Sequence, residues 1–288
     1  MAKIIVDKNL LMTLLNLSSV VEARDSYTGG HIWRVSEYSK LLAEKVGLKK
    51  EDILKAQLCG LVHDLGKVST PDSILNKKGR LDDYEFEIMK AHTQTGKLLI
   101  EPHPLSSLVV DTIYNHHERI DGRGYPEGLS AQKHTLYSKI VGLADAFDAM
   151  TSERPYRSAM EKNEAINQIE EGLGLQFDRA LGEKYIELAE AGSFDNVIGH
   201  FDYEKEMLSC PVCGPIISYG AEKKDGDHIS CNNCSYEFKM HKQKSTFELE
   251  ATNRYNPLIK SNGDKEVITQ FSKAFVDRIT IKKSWIWK

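Results

Sequence analysis

The chain has 288 residues, of which 41% are hydrophobic and 28% charged, with a formal net charge of −4. That is globular rather than disordered material, long enough for one large domain and a small one. The negative balance excludes a general polyanion binder, so no nucleic-acid partner is expected, and there is no apolar run of about 18 residues to span a membrane. The start, Met1 to Asp7, lacks the apolar core of a signal peptide, so the expected location is the cytoplasm.

In chain order, the first two-thirds read as helix after helix. Leu10, Leu11, Leu14, Leu15 and Leu17, then Val20 and Val21, form a stripe at helical spacing. Val35, Tyr38, Leu41, Leu42 and Val46 form a second, stopped by Gly47, and Ile53 through Leu65 a third. Ser69 to Arg80 breaks into Thr-Pro-Asp and Lys-Lys-Gly, a loop expected to lie over a cleft. One helix is predicted from Tyr84 to Ile100 and another from Leu108 to His117; Asp121 to Gly128 is glycine-rich loop. Helices follow from Leu136 to Met150, Lys162 to Glu171 and Arg179 to Ala191, with no alternating strand pattern before about residue 200. The prediction is a mostly α domain over residues 1–200, a small β-rich module over 205–242, and a 243–288 extension of unassigned structure. Within the last, Val267 to Ile279 has the pattern of an amphipathic helix.

Five of the ten histidines fall in an ordered His/Asp series: His31, His63-Asp64, His92, His116-His117, then Asp145. Taken singly, each is most simply a hydrogen-bonded imidazole. Together, imidazoles and carboxylates are the donor set for a pair of divalent metals, and such a pair hydrolyses phosphate esters. Asp145 and Asp148 are three apart and share a helix face; Asp25, Thr28, His31 and Arg34 form another polar stripe.

These blocks carry a resemblance. Asp25 to Val35, His63-Asp-Leu-Gly-Lys67, Lys90-Ala-His92 with Gly96, His116-His-Glu118, Asp121-Gly-Arg-Gly-Tyr-Pro126 and Asp145 to Ser152 resemble the HD-GYP family across roughly Leu10 to Ala191. These are bacterial phosphodiesterases of the HD metallohydrolase superfamily, acting on cyclic dinucleotides. The resemblance implies an HD-type all-helical bundle, with His31, His63, Asp64, His92, His116, His117 and Asp145 as metal ligands and Asp64 as the bridge. It implies Lys67 on the scissile phosphate, and Tyr125, Arg154 and Arg157 on the substrate's phosphates and base. Some relatives hold a third metal through a glutamate where this chain has Tyr27, so two metals are expected.

The physical reading runs parallel. Two metals sharing a hydroxide would deliver it to phosphorus in line with the departing 3′ oxygen, with Lys67, Arg154 and Arg157 offsetting the growing charge. Donors without thiolate favour iron or manganese and also accept zinc or nickel. Asp25 and Asp148 read as groups orienting His31 and other ligands. The expected reaction is cyclic di-GMP to linear pGpG, with onward cleavage to GMP open. The alternatives are another cyclic dinucleotide such as cyclic GMP-AMP, or a signalling adaptor of low turnover.

Cys210-Pro-Val-Cys213 and Cys231-Asn-Asn-Cys234 are two knuckles at the spacing of a four-cysteine zinc site, resembling a zinc ribbon. The expected metal is one structural zinc, against the alternatives of disulfides or free thiols. With few basic residues between the knuckles, the module is expected to pack or to bind a protein partner. Cys59, alone in an apolar helix, reads as a core residue.

Overall fold

In a computed structural model of the chain, the first apolar stripe becomes α1 (Lys8–Glu22). Its Leu11, Leu14, Leu15 and Val21 are buried, whereas Leu17 and Val20 face outward, so the buried stripe is narrower than the sequence suggests. The structure describes residues 4–5, 8–22, 24–25, 30–152, 159–202, 205–212, 216–220, 223–231, 234–243, 246–256 and 286–287. Tyr27, Thr28, Arg154, Arg157, Cys213 and the expected helix over 267–279 lie outside them.

The helical body is built on α2 (His31–Lys45), which packs along α3 (Lys50–Val62) and against α8 (Leu136–Thr151). A buried aromatic cluster of Tyr38, Phe147, Tyr185 and Phe194 ties α2 and α8 to α10 (Arg179–Glu190), with ring centroids 4.7–6.4 Å apart. Between α3 and α8 run a 3₁₀ turn (Leu65–Ser69), α4 (Asp72–Leu75), α5 (Asp83–Lys90), α6 (His92–Ile100) and α7 (Ser106–Asn115). α9 (Lys162–Glu171) packs on both α8 and α10. No helix among the described residues is long and apolar enough to cross a membrane.

Three sequence expectations need correction. The single helix over Tyr84–Ile100 is two, α5 and α6, broken at Ala91, where the chain turns so that His92 can bond the last turn of α5. The Ser69–Arg80 segment is not all loop, because Pro71 and Asp72 start the four-residue α4. A strand does precede residue 200: β1 (Ile4–Ile5) pairs antiparallel with β8 (Ile286–Trp287). Two residues are too few for alternation to register.

After Phe194 the chain forms two antiparallel three-stranded sheets. One is β2 (His200–Asp202), β3 (Lys205–Ser209) and β4 (Ile216–Gly220); the other is β5 (His228–Ser230), β6 (Tyr236–Gln243) and β7 (Thr246–Tyr255). Ile217, Tyr219, Ile229, Phe238 and Met240 form a small core between them, apart from the helical core. β7, in the segment unassigned from sequence, pairs along the length of β6.

Candidate metal centre

Five helical segments deliver the His/Asp series to one place. His31 opens α2, His63 caps the end of α3 with Asp64 next, His92 opens α6, His116 caps the end of α7 with His117 next, and Asp145 lies within α8. His31, His63, His92 and His116 are all at most 2% exposed. His117 is more open, its side chain 26% exposed.

Helix ends explain why the histidines sit where they do. The last carbonyls of a helix have no N–H partner four residues on. The Nδ1 of His63 donates to the Gly60 carbonyl at 2.8 Å, and that of His92 to the Met89 carbonyl at 2.7 Å. The Nδ1 of His116 donates to the Thr112 and Ile113 carbonyls at 3.1 Å. A carbonyl can only accept, so Nδ1 carries the proton in all three rings and Nε2 carries a lone pair. His31 follows the same rule with a carboxylate, its Nδ1 donating to Asp148 Oδ2 at 2.8 Å.

The four Nε2 atoms then face one another in two pairs: His31 and His63 at 3.2 Å, His92 and His116 at 3.5 Å. With Nδ1 holding its proton, a neutral ring presents an Nε2 lone pair to its partner, an arrangement that suits a bound cation. Asp64 lies between the pairs and splits its oxygens. Its Oδ2 is 3.5 Å from His31 Nε2 and 3.4 Å from His63 Nε2; its Oδ1 is 3.5 Å from His92 Nε2 and 4.0 Å from His116 Nε2. Asp145 repeats the division, with Oδ1 3.4 Å from His31 Nε2 and Oδ2 3.9 Å from His117 Nδ1. Donor atoms of His31, His63 and Asp64 fall within 4.8 Å of one another, as do those of His92, His116 and His117. The seven residues expected as ligands thus lie close together, and donor atoms of His63, His116 and Asp145 also fall within 4.8 Å of one another. Nitrogen and carboxylate donors of this kind fit divalent transition metals.

The electrostatics agree. Burial alone would lower His31, but its bonds to Asp148 and Asp64 and the charges of Asp148 and Asp145 raise it to about 9. The field that would hold a proton on its Nε2 is the field that would hold a metal cation there. Burial, with His63 and His92 alongside, lowers His116 to about 3; burial also lowers His92 and His117. All three are held neutral, the form in which imidazole binds a metal. Against burial, Lys67 and His63 hold Asp64 well below the usual carboxylate range.

Around this core, Lys67 Nζ is 2.7 Å from Asp64 Oδ2 and 3.8 Å from Asp25 Oδ2. Asp148 Oδ2 meets His31 Nδ1 at 2.8 Å. The described contact of Asp25 is with Lys67. Tyr125 stacks on His117, with centroids 4.7 Å apart and planes 29° apart, and Phe86 meets its edge. Burial, then Asp145 and Asp64, push its phenol up, so it remains a neutral donor. Asp25, Asp64, Lys67, His92, Tyr125 and Asp145 line a cleft of about 450 Å³ whose far wall includes Ile74, Lys77 and Arg80, from the segment expected to cover it.

Three supporting residues were given no role from the sequence. Arg34, fully buried, donates from Nε to Asp148 Oδ1 at 2.6 Å and from Nη2 to Oδ2 at 3.0 Å. Its three-residue spacing from His31 was the available signal. Glu118 accepts from the Glu127 and Leu129 backbones at 2.7 and 2.9 Å, closing the loop that carries Tyr125. Within that loop, a Cβ at Gly124 would stand 2.4 Å from the Arg119 nitrogen, so only glycine fits. Arg24 donates to the Lys67, Val68 and Thr70 carbonyls and fixes the turn bearing Lys67; nothing in its sequence context signals this.

The comparisons with known proteins fall on the same region. A family model described as "HD domain" matches residues 3–181. A cyclic di-GMP phosphodiesterase of Pseudomonas aeruginosa is 38% identical over 174 residues, 60% of this chain and 41% of that protein. 3'3'-cGAMP-specific phosphodiesterase 1 of Vibrio cholerae is 38% identical over 160 residues, 56% of this chain and 37% of that protein. A cyclic di-GMP phosphodiesterase of Thermotoga maritima is 37% identical over 180 residues, 62% of this chain and 48% of that protein. The chain therefore spans less than half the length of these curated relatives.

Proposed function

The chain belongs to the HD domain family, and from that premise we propose that it is a metal-dependent phosphodiesterase opening cyclic di-GMP to linear pGpG. The observation that carries this reading is the pairing of buried Nε2 lone pairs on either side of one divided carboxylate. The names of its relatives support the same substrate class.

His31, His63 and Asp145 would hold one metal and His92, His116 and His117 the other, with Asp64 giving an oxygen to each. The donor set suits iron or manganese best and also admits zinc or nickel. When bound, such a pair supplies Lewis acidity to a phosphate oxygen and makes water a nucleophile at neutral pH. Water oxygen bonds to phosphorus as the bond to the 3′ oxygen breaks, and that oxygen leaves with a proton.

The remaining chemistry falls to side chains. Lys67, fixed by Asp64 and by the Arg24-clamped turn, presents its ammonium to a non-bridging phosphate oxygen. The Tyr125 ring, seated on His117, gives a flat edge for a base and a phenol to donate to phosphate. Arg154 and Arg157 are assigned, with Tyr125, to the substrate's phosphates and base, as the family resemblance implies. Cyclic GMP-AMP is the second reading, because relatives at the same identity carry that specificity in their names. The C-terminal strands stand outside this chemistry and are read as a zinc-ribbon-like module offering a surface to a protein partner.

The test is a panel of cyclic dinucleotides given to purified protein loaded with iron or manganese. Linear pGpG from cyclic di-GMP is expected, and the His63→Ala/Asp64→Ala double variant should fall to background. Full turnover by that variant would sink the metal chemistry; no turnover of any cyclic dinucleotide by the native chain would sink the substrate class.

A further inference from the structure

Cys210 and Cys231 are 3% and 1% exposed, Cys234 is half-buried, and the three sulfurs lie within 4.8 Å of one another. Cys210 Sγ and Cys234 Sγ are 3.8 Å apart. A disulfide needs about 2.05 Å. A tetrahedron with metal–sulfur bonds of about 2.3 Å has edges of about 3.8 Å, which is the separation seen. The cysteines come from different sheets. Cys210 is the first residue after β3, in the hairpin loop leading to β4, and Cys231 is the first after β5, in the loop leading to β6. The strand pairs that close these loops are Ser209↔Ile216 and Ser230↔Glu237, so both cysteine pairs begin at the same step of a hairpin.

The backbone adds an independent sign. Ser235, just after Cys234, has φ of +57°, in the left-handed region, and donates its N–H to the Cys231 carbonyl at 2.8 Å. A knuckle that wraps two thiolates onto one ion needs such a turn.

We propose that Cys210, Cys231 and Cys234 hold a structural zinc ion that joins the two C-terminal sheets. The joint has a purpose. Between the sheets the buried apolar side chains are Ile217, Tyr219, Ile229, Phe238 and Met240, a core too small to hold some fifty residues without a staple. Thiolate ligation of this kind marks a structural rather than a catalytic ion. The proposal is independent of the phosphodiesterase reading.

Cobalt(II) exchanged into the reduced full-length chain tests it. Thiolate ligation gives near-ultraviolet sulfur-to-cobalt charge transfer, which the histidine and carboxylate donors of the helical body cannot give. The band is expected in the native chain, unchanged in His63→Ala, and lost in Cys231→Ser together with about one zinc per chain from the protein as purified. Absence of the band from the native chain would overturn the site, as would an unchanged zinc content in Cys231→Ser. Because the native spectrum decides the first point, misfolding of the variant does not shield the proposal.

Discussion

At the scale of single residues, Asp148 matters beyond its size. It accepts the Nδ1 proton of His31 and both arms of Arg34, so one carboxylate fixes the ring's tautomer and neutralises a fully buried guanidinium. Asp148→Asn keeps the shape but leaves Arg34 charged in a dry interior and lets an amide N–H face His31. Metal affinity is expected to fall about 10–100-fold, and stability by about 3–5 kcal/mol, the usual result of orphaning a buried charge. Metal titration and urea denaturation check this; a variant that matches the native chain in both would show that Asp148 does not orient His31. The ligands themselves were legible because histidine beside aspartate is rare in an apolar helical pattern. Arg34, Arg24 and Glu118 were not, because each acts through backbone or carboxylate partners up to 114 residues away.

At the scale of elements, the centre depends on how closely the turn after α3 approaches α6. A Cβ on Gly66 would lie 1.8 Å from the His92 carbonyl oxygen and 2.5 Å from the Gly96 nitrogen, and both are backbone atoms that cannot swing aside. Gly66→Ala must therefore push the Asp64–Lys67 turn away from His92, separating ligands of the two halves. A cost of about 1–3 kcal/mol is expected, with turnover lost more steeply than stability. An unchanged denaturation midpoint with unchanged activity would show that the approach is looser than it looks. Helix positions were readable from apolar spacing, but the break at Ala91 was not: the residues from Tyr84 to Ile100 keep one helical period across it. At the break, His92 turns its Nδ1 back onto the Met89 carbonyl, a local side-chain bond that apolar spacing does not encode.

At the scale of the molecule, the seven residues proposed as ligands span positions 31 to 145 and come from five helical segments that share the main core. Metal bound there cross-links most of the body, and stability should follow its occupancy. Stripping it with a chelator is expected to lower the helical melting transition, by about 2.7 kcal/mol where the free metal had stood at 100 times its dissociation constant. Coincident melting curves with and without chelator would count against ligation by these residues. The C-terminal sheets, with a core of their own, were legible chiefly through their cysteines. Their β2 and β7 strands were missed because they carry no turn signal as clear as the knuckles.

The bonds from His63, His92 and His116 to their own helix ends have one more consequence. Each ring is aimed by a backbone carbonyl three or four residues back, not by the ion it would meet. The socket is wired before anything is plugged in. Exchange of one metal for another at the proposed site is then expected to need no refolding.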